Sequence, residues 1–269
     1  LPLSRGLGDV YKRQEEYVMA GREYEWILRF GDDALVLAQR LSEWCSHGPA
    51  IEEDIALSNI ALDLLGQARA LLTLAGRREG QGRDEDALAY FRTDREYSNA
   101  LLVELPNGHF GDTIVKQMLF DQFAVLRYEA LANQCVDEEL AAIASKALKE
   151  VRYHAAHSTQ WVVRLGDGTK ESHLRVQESL NTLWPYTAEL FEDDAVSKAC
   201  ADAEVMPLNA SFKEPWSTQL QNILNEAKLL NPESTEFHTG GRTGRHTEHL
   251  KSMLAEMQVL PRTYPLAEW

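Results

Sequence analysis

The chain has 269 residues, 44% of them hydrophobic, and a formal net charge of −15. That is enough apolar content for one domain with a full core. The acid excess excludes a basic surface for nucleic acid and disfavours anionic membranes, because both need concentrated Lys and Arg.

No apolar run approaches the roughly 20 residues of a membrane span. Cys45, Cys135 and Cys200 are too widely spaced for a metal pattern, and their odd count fits reduced thiols in a cytoplasmic protein. The opening stretch "LPLSRGLGDVYKRQ" puts no apolar segment after a basic start, so it does not read as a secretion signal. It resembles the translated adapter tails found fused to open reading frames. Residues 1–22 are therefore expected to be a non-native or disordered tail, and residues 23–269 the folded domain.

Helical periodicity dominates from there. A first helix is expected from about Tyr24 to Cys45, broken by "HGPA". A second begins near Ile51, with Glu52, Glu53 and Asp54 in its first turn, where the helix dipole favours acids. Within it Leu57, Ile60, Ala61, Leu64, Ala68 and Leu71 form a core stripe. The polar stretch "GRREGQGRDEDALAYFRTDREYSN" is too long for a turn and must cross the bundle. A third helix is expected over about Phe110 to Gln134 and a fourth over about Asp137 to Leu165. Two helical hairpins joined by a crossover give an all-α, ferritin-like four-helix bundle. Additional C-terminal helices are expected near Lys170–Glu192, Asp194–Glu204, Pro215–Leu230 and His246–Leu260.

Di-iron bundles of this topology take a Glu from each of two helices and a Glu-x-x-His from each of the other two. Hairpin turns near Gly48 and Val136 put Asp33 level with Asp63, and Asp121 level with Glu150. These four carboxylates are the candidate ring. Both histidine positions of the motif are occupied otherwise, by Gly66 and Tyr153. His154 lies about 100° further around its helix and is expected to point elsewhere. Lys146, four residues before Glu150, is the expected counter-charge. The spacing thus favours a vestigial metal site closed by salt bridges. A filled di-iron site, and ordinary polar packing between helices, are the other two readings.

The blocks "LRFGDDALVLAQRLSEWC", "DIALSNIALDLLGQARALL", "FRTDREYSNALLVELPNGHFGDTI", "KEVRYH", "LWPYTAELF" and "TGGRTGRHTEHLKSMLAEMQ" closely resemble the C-subunit family of phenylacetyl-CoA 1,2-epoxidases, from about residue 23 to the end. The resemblance implies a non-catalytic structural subunit of a multicomponent monooxygenase in aerobic phenylacetate catabolism. It implies a di-iron A subunit as partner and no cofactor in this chain. It also implies a reductase with flavin, an iron–sulfur cluster and NADPH. A self-sufficient di-iron oxygenase or oxidase is the rival reading, and a helical adaptor with no oxygenase partner a third.

The crossover is where such a subunit would meet phenylacetyl-CoA. Arg77, Arg78, Arg83, Arg92 and Arg95 form a local basic cluster, and Arg suits the phosphates of coenzyme A. The resemblance implies that Glu96, Tyr97, Ser98 and Asn99 border the CoA ester, and more weakly that Lys198, Ala199 and Cys200 do. A solvated loop whose arginines pair with Asp84, Glu85, Asp86 and Asp94 is the alternative. "TGGRTGRHTEHL" follows no strand and lacks the Gly-Lys-Ser/Thr of a phosphate loop. Its glycines are expected to set a tight turn, with Thr247 or Arg245 starting the last helix. Cys45 and Cys135 are expected to pack as small apolar groups.

Overall fold

The computed structural model describes the backbone of residues 4–265 except 235, together with 267, and side chains from residue 22 onward within those bounds. Residues 1–3, and the side chains of 4–21, lie outside the described residues; of the expected tail, the backbone from residue 4 is described and is helical, continuous with the first helix.

α1 (Ser4–Ser42) and α2 (Ile51–Glu79) pack as one hairpin. α2 stops at Gly80, whose left-handed backbone (φ 71°) suits glycine and turns the chain away. The crossover follows. It holds α3 (Glu85–Tyr90), capped by Asp84, a 3-10 turn at Asp94–Glu96, and α4 (Leu101–Glu104). α5 (Phe110–Gln134) and α6 (Glu138–Gly166) form the second hairpin. The His109 imidazole and the Asp112 carboxylate cap each other's backbone N–H at the start of α5. Asp137 accepts from the N–H groups of Glu139 and Leu140 at the start of α6.

The C-terminal third wraps this bundle. α7 (Lys170–Leu183) packs on α5 and α6, α8 (Ala195–Asp202) on α1, and α9 (Lys213–Glu226) on α5 and α6. α7 ends well before Glu192. Pro185 cannot donate to a helix ladder, and the chain passes instead through two 3-10 turns, Trp184–Tyr186 and Ala188–Phe191. α10 (Glu248–Met257) and α11 (Val259–Thr263) close the fold. Among the described residues there is no strand. The six residues of the expected α2 stripe are all buried. α2 is also long and apolar enough to match a membrane span by composition. That stripe in the bundle core accounts for part of its apolarity, and an uncovered outer stripe for the rest.

Candidate functional site

Asp33 on α1 and Asp121 on α5 face one small cavity of about 20 Å3 in the middle of the bundle, also lined by Gln67, Arg127, Tyr128 and His154. That is room for about one water. The two carboxyls are stabilised in opposite ways. Asp33 accepts from Arg242 Nη1 and Nη2 at 2.8 and 2.9 Å, from Arg127 Nη1 at 3.1 Å and from the Ala100 N–H at 2.8 Å. Burial raises its pKa, but Arg242 and Arg127 outweigh burial and hold the carboxyl below its usual range. Asp121 has only the Ser158 hydroxyl, 2.8 Å away. Burial pushes it up to about 8, so at neutral pH it is a neutral acid.

Asp63 and Glu150 are not part of this centre. Asp63 stands about 100° around α2 from the inward Leu64 and is 38% exposed, within 3.1 Å of His154 Nε2. Glu150 stands at the same offset from the inward Val151 and accepts from Gln67 Nε2 at 3.0 Å. The expected ring of four carboxylates is therefore two inward aspartates and two acids on the α2–α6 rim. Lys146 is exposed and does not pair with Glu150, whose partner is Gln67. His154, expected to point elsewhere, is buried against the cavity. Burial holds its imidazole below the usual range, against the pull of Asp63.

A second layer of buried charge clasps the crossover to α1 and to the loop before α10. The Arg92 guanidinium pairs with both oxygens of Asp32 and also donates to the carbonyls of Leu88 and Glu96. Ser98 N–H donates to Asp32 at 2.9 Å. Glu189 accepts the N–H groups of Leu101, Gly240 and Gly241 at 2.7 to 2.8 Å. Glu104 accepts the Thr247 N–H at 2.6 Å and faces His246 Nδ1 at 2.7 Å. Burial opposes charge on His246, but Glu104 and the Tyr97 carbonyl outweigh it and raise the imidazole above its usual range. Gly240 (φ 133°) and Gly244 (φ 74°) need their glycine conformations, and Thr247 caps α10. The sequence reading missed Asp32, Glu104, Glu189 and Arg242. The paired glycines before Arg242 were the available signal, since adjacent free N–H groups form a nest for a carboxylate.

A family model for phenylacetic acid catabolic protein matches residues 12–269. The C subunit of 1,2-phenylacetyl-CoA epoxidase from Escherichia coli (strain K12) is 46% identical over 244 residues, which is 91% of this chain and 98% of that relative. The chain belongs to the phenylacetic acid catabolic protein family. The donor set in this family member does not fit a di-iron centre. Asp33 is saturated by two guanidinium groups, and Asp63 and Glu150 sit on the rim. Among the described residues, no three His, Cys, Asp or Glu side chains could hold a metal ion.

The positions expected at a CoA ester, from the basic cluster and from the resemblance, are not equally available. Arg92 is buried in its pair with Asp32 and cannot meet a phosphate. Arg77, Arg78 and Arg83 are paired with Glu139, Asp137 and Glu79. Those pairs differ from the acids expected for the solvated-loop alternative. Tyr97 is buried, its hydroxyl donates to the Ala89 carbonyl, and Arg92 lies over its ring at 4.2 Å. Asn99 is buried and donates to Glu104 at 2.8 Å. Arg95 and Glu96 are exposed and Ser98 is half-buried. On α8, Lys198 is exposed while Ala199 and Cys200 are buried. Cys45 is exposed rather than packed, and Cys135 is half-buried.

Proposed function

We propose that this chain is the C-type subunit of a multicomponent phenylacetyl-CoA 1,2-epoxidase, a ferritin-like partner that supports a di-iron A subunit without carrying the chemistry itself. The observation that carries the reading is the 46% identity spanning nearly all of both chains. The closed centre favours the supporting role, because the Arg127 and Arg242 guanidinium groups occupy Asp33, which a di-iron chain would need as an anionic ligand. Electrons reach the A subunit from NADPH through a reductase with flavin and an iron–sulfur cluster, and phenylacetyl-CoA is the substrate.

The chain borders the CoA ester through Glu96 to Asn99 and through the start of α8 with Lys198, Ala199 and Cys200. Supporting this, the two stretches lie on one side of α1 and are linked. Arg242 Nη1 donates to the Ser98 carbonyl at 3.0 Å, and Arg29 pairs with Asp194 at the start of α8 and reaches the Arg242 carbonyl at 3.5 Å. The solvent-facing cations there include Arg95, Lys198 and Arg245. The buried Arg92 and Tyr97 act as scaffold for the exposed residues between them.

The test is reconstitution. The chain purified alone is assayed for iron and for O2-dependent consumption of phenylacetyl-CoA, then again with the A subunit and reductase. Turnover is expected only when the A subunit is present, within a complex that contains this chain. A di-iron load and turnover in the isolated chain would establish the rival, a self-sufficient oxygenase.

A further inference from the structure

His246 stands in the clasp between the loop before α10 and the crossover, with an acceptor at each ring nitrogen. Nδ1 lies 2.7 Å from Glu104 Oε2, and Nε2 lies 2.9 Å from the Tyr97 carbonyl oxygen. The His246 side chain is 3% exposed and that of Glu104 fully buried, so water cannot stand in for either partner. A carbonyl oxygen only accepts, which puts a hydrogen on Nε2. A neutral ring would then turn the bare lone pair of Nδ1 towards Glu104, so a second hydrogen lies in that contact as well. Glu104 also accepts from the Thr247 N–H at 2.6 Å and from Asn99 Nδ2 at 2.8 Å. Three donors on one buried carboxyl favour its ionised form, and the shared proton therefore belongs to the imidazole.

The charges around the pair leave that proton in place. Burial opposes charge on the ring, but Glu104 on α4 and the Tyr97 carbonyl outweigh it, with a smaller pull from Asp32 on α1. Asp32 is itself matched by Arg92 from the crossover. Arg40 on α1 is turned to Glu43 and to the carbonyls of Glu104 and His249, and Arg242 in the same loop pairs with Asp33. The Tyr97 hydroxyl is turned away, to the Ala89 carbonyl. Among the described residues, His246 is the one cation paired with Glu104.

Position gives the pair its use. Glu104 and His246 hold the two ends of Tyr97–Asn99, one through the Asn99 amide and the other through the Tyr97 carbonyl. The same loop presses on the chain just before this stretch, since a β-carbon on Gly244 would collide with the Arg95 carbonyl. Arg95, Glu96 and Ser98 are the side chains here that reach solvent. We propose that His246 is a positioning residue for the CoA ester: its doubly protonated ring fixes the Tyr97–Asn99 backbone and, through it, the reach of Arg95 and Ser98. The inference rests on the ester site proposed above. The pH dependence has a definite sign. A ring whose pKa is higher in the fold than in the unfolded chain holds the clasp fully below about pH 6.5, and releases it as pH rises through the folded value. Loss of the proton turns the contact of Nδ1 with Glu104 from attraction to repulsion, and the ring withdraws from one of its two partners.

Two measurements test this. The first records the ring 15N resonances of the full chain, labelled at histidine and assigned with His246→Gln. Both nitrogens of His246 should be mostly protonated at about pH 6.5, where half of unperturbed histidines have lost the proton. A bare ring nitrogen there would overturn the inference, whatever the role of the chain. The second measures KM and kcat for phenylacetyl-CoA, from about pH 6.5 to 9, in the complex assembled with the A subunit and reductase. His246→Gln keeps a neutral donor and should raise KM about fivefold at the acid end with kcat unchanged. The gap should narrow as pH rises, because the wild type loses its proton too. His47→Gln, at an exposed histidine past the end of α1, is the control and should follow the wild type. A purely structural role would lower kcat through lost complex and leave KM alone. Equal KM for His246→Gln and the wild type at the acid end would overturn this inference while leaving the subunit role standing. Should His246→Gln not assemble, a wild-type KM that stays level across the range would do the same. No turnover in a complex holding the wild-type chain would overturn both.

Discussion

Asp121 keeps a carboxyl buried in the bundle core. Among the described residues its side-chain partner is Ser158, whose hydroxyl also bonds the His154 carbonyl at 3.0 Å. With its pKa raised to about 8, the folded state holds a proton that the unfolded chain releases near pH 4. Between those limits the folded state binds one more proton than the unfolded state. The contribution of this group is thus fully present at acid pH and falls by about 1.4 kcal/mol per pH unit as pH rises towards 8. Asp121→Asn keeps the shape and removes the proton. We expect it to match the wild type near pH 4 and to exceed it by on the order of 2–4 kcal/mol at pH 7. Urea unfolding at pH 5, 6, 7 and 8 measures this, and parallel pH profiles for the two proteins would show that Asp121 is ionised in the fold. Asp33, facing the same cavity, should behave oppositely, because its charge is matched by Arg127 and Arg242.

At the scale of elements, the loop before α10 acts as a clasp rather than a phosphate loop. Its glycines are required by close packing, since a β-carbon on Gly241 would collide with the Asn99 carbonyl, and one on Gly244 with the Arg95 carbonyl. Gly241→Ala should therefore push the loop off the crossover and loosen the Glu189 nest, costing about 2–4 kcal/mol. Thermal unfolding checks this, and an unchanged Tm would mean that the clasp does not hold the crossover. The long helices were legible in the sequence because they repeat their period many times: α5 spans the expected Phe110–Gln134, and α6 differs from Asp137–Leu165 by one residue at each end. α3 and α4, at six and four residues, are too short to show a period, so the crossover read as loop. The centre was half legible. Asp33 and Asp121 were placed correctly at the core. Asp63 and Glu150 were not, because one residue of register is 100° of rotation, enough to exchange Glu150 for Val151 and Tyr153 for His154 as the inward groups. The cation was assigned to Lys146 by sequence proximity, whereas the two that close the site on Asp33, Arg127 and Arg242, come from 94 and 209 residues away. No local pattern reports a pairing of that span.

Across the whole molecule, the proposed function sets an electrostatic problem: a chain of net charge −15 would border a CoA ester that bears several phosphates. Local cations must outweigh the general field, and only those with no internal partner can serve. Arg92 and Arg95, three residues apart, divide on this point. Arg92 neutralises Asp32, which is fully buried; Arg95 is exposed. Arg92→Ala should cost on the order of 3–5 kcal/mol of stability by leaving that carboxylate unpaired, and it should reduce the amount of folded complex. Arg95→Ala should leave Tm unchanged and raise the KM of the assembled epoxidase for phenylacetyl-CoA by about fivefold, the worth of one exposed charged hydrogen bond near 1 kcal/mol. The Arg95 effect should shrink as ionic strength rises, because an exposed contact is screened, while the Arg92 effect on Tm should persist. An unaltered KM for Arg95→Ala at low salt would remove this arginine from the ester's path and leave Lys198 and Arg245 as the exposed cations to test on that side of α1.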